Sequence, residues 1–412
     1  MLWVLGALLV FAILKIFLQK HFPRSSFFHF NLLSCLQLLI LFWAIFTGIL
    51  ENTVWQRLPP RRSGRKSTLA FFAVLVICEL TCCWMFFHPA TIPRPFLPTA
   101  KYYYSIYERN IAQFDPAISQ YDSSLFYRMI PNNRSVFSNV EFTDSMITDA
   151  RGFRDTTNAL THPTILCLGD SYTLGWGVHQ HEAYPYLLHQ LLKVPVLNTG
   201  VSSYGTAREL ASIRPVDRSS VKTVIIQYCT NDEDENKAFV ANGDRLKISP
   251  PSSYDSARTI LKWSNAWFPF KYSLTQFKIF MSRDVIPSIQ KTLHPSGPKD
   301  AQPVMDDTAR YDRETNLFLE VLKGADLNFD SVHIFVFDID SYDQLRSGFI
   351  STLSSKLAQP AQRSIFKDHV HPLHIEQLLT PGDYYILDEH IKPSGHAKLA
   401  RLLADSILNS GS

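Results

Sequence analysis

The stretch Thr164-Ile165-Leu166-Cys167-Leu168-Gly169-Asp170-Ser171-Tyr172-Thr173 is where the fold of this chain is read. Thr164–Leu168 is a short apolar run stopped by Gly, the pattern of a strand covered on both faces. Glu182–Leu192 then repeats apolar residues at helical spacing. Val194–Leu197 is a second strand-like run, Thr206–Ile213 a helix, and Val221–Tyr228 a third strand. Much later come Val332–Ile339, another strand, and Ser394–Leu408, a helix. Alternation of this kind predicts an α/β fold, a parallel sheet with helices on both faces. Ligand sites in such sheets lie at the carboxyl ends of the strands.

Polar residues gather at those ends. Gly169-Asp170-Ser171-Tyr172-Thr173 follows the first strand, Asn198-Thr199-Gly200-Val201-Ser202-Ser203 the second, and Cys229-Thr230-Asn231-Asp232 the third. Asp388-Glu389-His390 precedes Pro393-Ser394-Gly395 and the last helix. A serine hydroxyl becomes a nucleophile when a base takes its proton. His390 can be that base, oriented and charge-balanced by Asp388. Backbone N–H groups at a strand-to-helix turn, with an Asn amide, can hold an oxyanion. Singly, each residue has a plainer reading. Ser is a favoured helix N-cap, Asn-Asp a turn, and His396 competes with His390 as base. His390 is preferred because it precedes the helix that contains His396.

Four ordered segments carry a resemblance. Leu168-Gly169-Asp170-Ser171 looks like the first block of the GDSL or SGNH hydrolase family. Asn198-Thr199-Gly200-Val201 resembles its second block and Thr230-Asn231-Asp232 its third. Asp388 and His390, with Pro393-Ser394-Gly395-His396, resemble its last. Arg151-Gly152-Phe153-Arg154-Asp155 and Gly175-Trp176-Gly177-Val178 look like a bacterial envelope branch. The resemblance covers roughly residues 120–410. It implies a three-layer α/β/α, flavodoxin-like parallel sheet, with Ser171 as nucleophile, His390 as base and Asp388 as its orienting acid. It also implies Asn231 as an oxyanion donor, joined by a backbone N–H at Ser203, where the family usually has Gly. Two positions depart from the pattern. Cys229 stands where the third block usually begins with Gly, and Leu387 where the acid often sits.

Residues before 90 have a different character. Leu2–Leu18, Phe27–Leu50 and Leu69–Phe87 approach the roughly 20 apolar residues that a bilayer core requires, so three transmembrane helices are expected within residues 1–88. The first lacks the basic start and small-residue cleavage site of a signal peptide. Arg57, Arg61, Arg62, Arg65 and Lys66 lie between the second and third runs, and basic loops stay cytoplasmic. The C-terminal domain is therefore expected on the periplasmic side of the inner membrane. Lys20 and Arg24 are a smaller signal in the opposite sense. Residues 89–119, rich in Pro and Tyr, read as a stiff linker, because proline stops helices. Residues 120–412 then form the hydrolase-like domain, with an insertion at about 233–330 whose Trp263, Trp267, Phe268, Phe270 and Tyr272 read as a lid or as the core of a helical subdomain. Glu79, in the middle of the third run, is costly in a bilayer and is expected either to bond a neighbouring helix or to serve a transport or relay role.

The net charge of +3 over 412 residues excludes a nucleic-acid-binding surface as the leading reading. His369, His371 and His374 imitate metal-ligand spacing, but Pro372 interrupts them and no acidic partner completes a motif, so no metal or cofactor is expected. Cys167 and Cys229 read as buried free thiols. The function expected is ester hydrolysis, removing an acyl group from an envelope glycan or lipid. O-acyl transfer by the same residues is the second reading, and would need an envelope-modification partner protein to supply the donor. A non-catalytic assembly or binding protein on a hydrolase scaffold is the third, and a transporter or sensor centred on Glu79 the fourth.

Overall fold

A computed structural model describes residues 2–21, 26–53, 60–293, 307–342 and 348–410. The helices are α1 Leu2–His21, α2 Ser26–Thr53, α3 Pro60–Phe87, α4 Leu97–Tyr107, α5 Ser171–Leu174, α6 Tyr184–Leu192, α7 Thr206–Ser212, α8 Asp232–Ala241, α9 Pro251–Ser264, α10 Lys271–Phe280, α11 Ile286–Leu293, α12 Asp307–Lys323, α13 Gly348–Leu357, α14 Pro360–Phe366 and α15 Pro393–Asn409. The strands are β1 Ser119–Asp122, β2 Phe126–Met129, β3 Arg134–Asn139, β4 Phe142–Ile147, β5 Ile165–Leu168, β6 Val196–Asn198, β7 Thr223–Tyr228, β8 His333–Asp338 and β9 Val370–Leu373. The chain divides into two compact units, one of residues 1–109 and 256–302, the other of 110–255 and 303–412.

The second unit is built on a five-stranded parallel sheet in the order β6-β5-β7-β8-β9. Every residue of β5, β6 and β7 is buried, which is why these strands read as largely apolar runs without alternation. Successive side chains leave opposite faces of a strand, and the core divides accordingly. Leu166, Leu168, Val224, Ile226, Ile334 and Val336 join α7 and α12 through Leu210, Phe318 and Leu322. Ile165, Cys167, Ile225, Phe335 and Phe337 join α6 and α15 through Leu188, Leu399, Leu403 and Ile407. The chain leaves β5 first toward β6 on one side and later reaches β7 on the other. The crevice outside the carboxyl ends of β5 and β7 is therefore the topological switch point. Two antiparallel hairpins, β1–β2 and β3–β4, lie in the same unit.

The histidine segment at 369–374 supplies the edge strand β9, and an edge is where Pro372 is tolerated. His333 Nδ1 and His371 Nε2 lie 2.9 Å apart, but among the described residues no His, Cys, Asp or Glu cluster could hold a metal. Cys167 and Cys229 are buried and unbridged.

The first unit is helical. Two helices, Phe28–Leu50 and Arg65–Phe87, each 23 residues, are long and apolar enough to cross a membrane. At 1.5 Å per residue each exceeds a hydrocarbon core of roughly 30 Å. Three such helices were expected; among the described residues two meet this length and apolarity. Arg61, Arg62, Arg65 and Lys66 are not in a loop but in the opening turns of α3. Arg57 and Arg24 lie outside the described residues.

The stretch expected as a linker contains α4. Pro98 stands in its first turn, where the missing N–H is no loss, and Tyr103, Tyr104 and Tyr107 are buried. Part of the expected insertion belongs to this unit as well. Phe268 and Leu274 pack with Cys35, Phe71 and Leu75, so these aromatics are core. Glu79 Oε1 accepts the Tyr272 N–H at 3.1 Å, and Oε2 accepts the Ser273 N–H and hydroxyl, both at 2.7 Å. The carboxylate thus caps α10, satisfying amides that a helix start leaves open. That is the neighbouring-helix bond expected of it.

Candidate active site

The position of Ser171 is made by steric necessity at Gly169. A Cβ there would lie 2.1 Å from Thr173 Oγ1 and 2.4 Å from Gln227 Oε1, so only glycine lets β5 turn this sharply. Asp170 is the N-cap of α5, its carboxylate accepting the Tyr172 N–H at 3.0 Å. Ser171 is therefore not the cap. It is the first residue of a four-residue helix that Gly175 ends at φ +83°, and its Oγ is left for another partner. Gln227, on β7, fixes the turn from below by accepting the Asp170 N–H at 2.9 Å and the Thr173 hydroxyl at 3.1 Å.

That partner is His390. Its Nε2 lies 2.7 Å from Ser171 Oγ, and its Nδ1 lies 2.5 Å from Asp388 Oδ1. All three residues are buried. With the Asp388 carboxylate accepting from Nδ1–H, Nε2 presents a lone pair to the serine hydroxyl. The indole of Trp176 stacks on the imidazole at 4.9 Å and 18°, and the Tyr172 ring lies 4.8 Å away. Both rings restrict how the base can rotate. The Asp-x-His spacing places Asp388 and His390 on one short loop, with Glu389 between them at φ +65°.

His396 is excluded from the role of base. It is fully buried, its Nδ1 accepts the Tyr184 N–H at 3.3 Å, and burial pushes its pKa down to about 3.

The loop after β6 passes close over α5. A Cβ on Gly200 would lie 2.4 Å from the Leu174 nitrogen, and the Val201 N–H donates to the Gly169 carbonyl at 3.1 Å. Ser203 follows, exposed, at φ +59°. This is the left-handed region that favours glycine, which accounts for the Gly usual at this position in the family the motifs resemble. Its hydroxyl accepts from Gln113 Nε2 at 3.1 Å. Among the described residues no group accepts the N–H of Ser203 or of Ser171. Asn231 stands at the N-cap of α8, exposed, with its amide 3.5 Å from Asp170 Oδ2. The five residues singled out from the sequence, Ser171, Ser203, Asn231, Asp388 and His390, thus sit on the loops at the carboxyl ends of β5, β6 and β7 and on the loop before α15.

Three further residues support this arrangement, and of these Glu141 alone lies outside the segments singled out in the sequence. Glu141, at the β3–β4 turn, accepts N–H bonds from Ile386 at 2.8 Å, Leu387 at 2.7 Å and Asp388 at 2.9 Å. It holds the acid-bearing loop by its backbone, and burial keeps its carboxyl above the usual range despite the three donors. Leu387, where the acid often sits, is buried and donates one of these bonds. Arg154 is also buried, donating to the carbonyls of Gly175 at 2.6 Å, Val178 at 2.8 Å, Ser145 at 3.0 Å and Leu174 at 3.1 Å. It braces the turn that carries Trp176. Thr230 donates to Asp340 Oδ2 at 2.5 Å, fixing the segment before Asn231. Glu141 lies 245–247 residues from its partners, so no local pattern could have revealed it.

No family model matches this chain, and no curated protein matches it.

Proposed function

We propose that this protein is a membrane-anchored serine ester hydrolase of the SGNH type, releasing an acyl group from a cell-envelope glycan or lipid without a cofactor. The observation that carries the reading is the continuous, buried hydrogen-bond chain Ser171 Oγ–His390–Asp388 at the switch point of a parallel sheet. The strand order β6-β5-β7-β8-β9 supports it, since it is the flavodoxin-like order of doubly wound folds.

In this mechanism His390 Nε2 takes the Ser171 hydroxyl proton as Oγ attacks the ester carbonyl. The tetrahedral oxyanion is held by the N–H groups of Ser171 and Ser203 and by the Asn231 amide. His390 then gives its proton to the departing alkoxide, leaving an acyl-serine and an alcohol. Water attacks the acyl-serine, His390 takes the water's proton, and the carboxylic acid leaves as Ser171 regains its hydrogen. Asp388 stabilises the imidazolium formed in each half. The two spanning helices anchor the enzyme in the inner membrane, and the basic start of α3 on the cytoplasmic side places the hydrolase unit outside.

The test is turnover of p-nitrophenyl acetate by the full chain in detergent, beside Ser171→Ala, with fluorophosphonate labelling of both. Turnover and labelling that vanish in the variant support the hydrolase. Labelling of Ser171 without turnover assigns acyl transfer to a hydroxyl acceptor instead. Neither labelling nor turnover in folded wild-type protein refutes a nucleophilic serine.

A further inference from the structure

A second cavity lies in the sheet-containing unit, with a volume of about 550 Å³. That is the size of a small-molecule site. Arg128, Arg151, Arg214 and Arg245 all line it. They are far apart in the chain and come from four different places: β2, the 149–153 turn, the segment after α7 and the segment after α8. A solvated charge run would put its arginines on one element. Here the fold brings four guanidinium groups from four elements to one concavity.

The surroundings neutralise them only in part. Asp122 Oδ2 pairs with Arg128 Nε at 3.4 Å, while its Oδ1 accepts the Ser124 and Leu125 N–H groups at 2.8 and 2.9 Å and the Ser124 hydroxyl at 2.6 Å. Asp244 is the other carboxylate of the wall, so the lining keeps an excess of positive charge. The turn bearing Arg151 is rigid. Asp149 Oδ1 accepts the N–H groups of Arg151 and Phe153 at 2.8 and 3.0 Å. Gly152, at φ +87°, lies so close to Met129 that a Cβ would come within 2.3 Å of its carbonyl oxygen. Val201 and Tyr204, which flank Ser202-Ser203, form part of the wall.

We propose that this cavity is an anion-binding subsite that takes a phosphate or carboxylate group on a saccharide-sized ligand. Guanidinium groups bind both anions with paired, charge-assisted hydrogen bonds. A planar fork on a rigid turn loses little freedom in doing so. The subsite does not rest on the reading of Ser171, because its lining includes none of the residues of the hydrogen-bond chain.

The experiment is calorimetric titration of the full chain in detergent with inorganic pyrophosphate and, separately, with a tetramer of a hexuronic acid; a neutral hexose tetramer is the control. Arg214→Gln and Arg245→Gln remove exposed side chains and should leave the thermal midpoint unchanged; Lys222→Gln removes one surface charge outside the cavity. At least one anion should bind the wild type, and which one binds identifies the source. Each arginine variant should weaken it about tenfold, as expected for one charge-assisted contact, while Lys222→Gln leaves it within twofold. The proposal is overturned if neither anion binds, if the neutral tetramer binds equally well, or if the arginine variants bind like Lys222→Gln.

Discussion

Removing the Glu141 carboxylate should dismantle the geometry of the base while leaving every residue of the hydrogen-bond chain in place. Its oxygens accept three backbone N–H bonds of 2.7–2.9 Å from residues 386–388. A hydrogen bond to a charged group contributes roughly 1.5–3 kcal/mol. Three that share one half-buried carboxylate will not sum fully, and water can reach part of the vacated space. Glu141→Ala is therefore expected to cost about 2–3 kcal/mol, a fall of roughly 5–10 °C in thermal midpoint for a domain of this size. The larger effect is on rate. The freed loop carries Asp388 and, two residues on, His390. A displacement of about 1 Å in catalytic geometry costs on the order of 10²-fold. The assay is p-nitrophenyl acetate hydrolysis, with kcat and KM separated, below the melting range of the variant. kcat should fall about 100-fold with KM little changed, and Glu141→Gln, which keeps one accepting oxygen, should recover part of the loss. A variant that melts early but keeps kcat within twofold of wild type would show that the loop needs no anchor, and the reasoning would fail.

Asn231→Ala should lower kcat about 10²–10³-fold, the usual cost of one oxyanion donor, whereas Ser203→Gly keeps the N–H, relieves φ +59° and should leave kcat within threefold; equal losses in the two variants would contradict these roles. Asp144 is buried near Arg154, and burial pushes its pKa up to about 6. Its protonated form is the one the fold prefers, so stability is greatest below the ordinary carboxylate value near 4 and is lost as pH rises through about 6. The loss is about 3 kcal/mol, and urea midpoints of Asp144→Asn at pH 4 and 7 should lack it. His396, pushed down to about 3, should stay neutral in an NMR titration from pH 8 to 5. Its contribution to stability is complete above the ordinary imidazole value near 6.5 and declines as pH falls toward 3, so an imidazole of His396 titrating near 6.5 would contradict its burial.

The amino-acid sequence by itself determined the elements and the order of the site. Apolar runs such as Ile165–Leu168 and Thr223–Tyr228 are buried on both faces, so their composition alone marks them as central strands of a parallel sheet. The polar segments at their ends fall into place once the strands are known, because position along a strand fixes which end of the sheet a residue reaches. Two of the three membrane runs were legible for the same local reason. Where one element's identity depended on a partner, local reading failed. Pro98 was read as a helix breaker but opens α4, because a first turn does not use its N–H. The histidine segment at 369–374 was not read as a strand, because β9 acquires its strand character from pairing with β8. Tertiary structure alone decided that residues 256–293 join the N-terminal helices, and that Glu79 caps α10 across a separation of 193–194 residues. It also distinguished His390 from His396, by burying one imidazole against Tyr184 and setting the other 2.7 Å from a hydroxyl 219 residues away. Periodicity records how a segment meets its immediate surroundings; contacts between distant side chains depend on how the whole chain closes, and no local pattern encodes them.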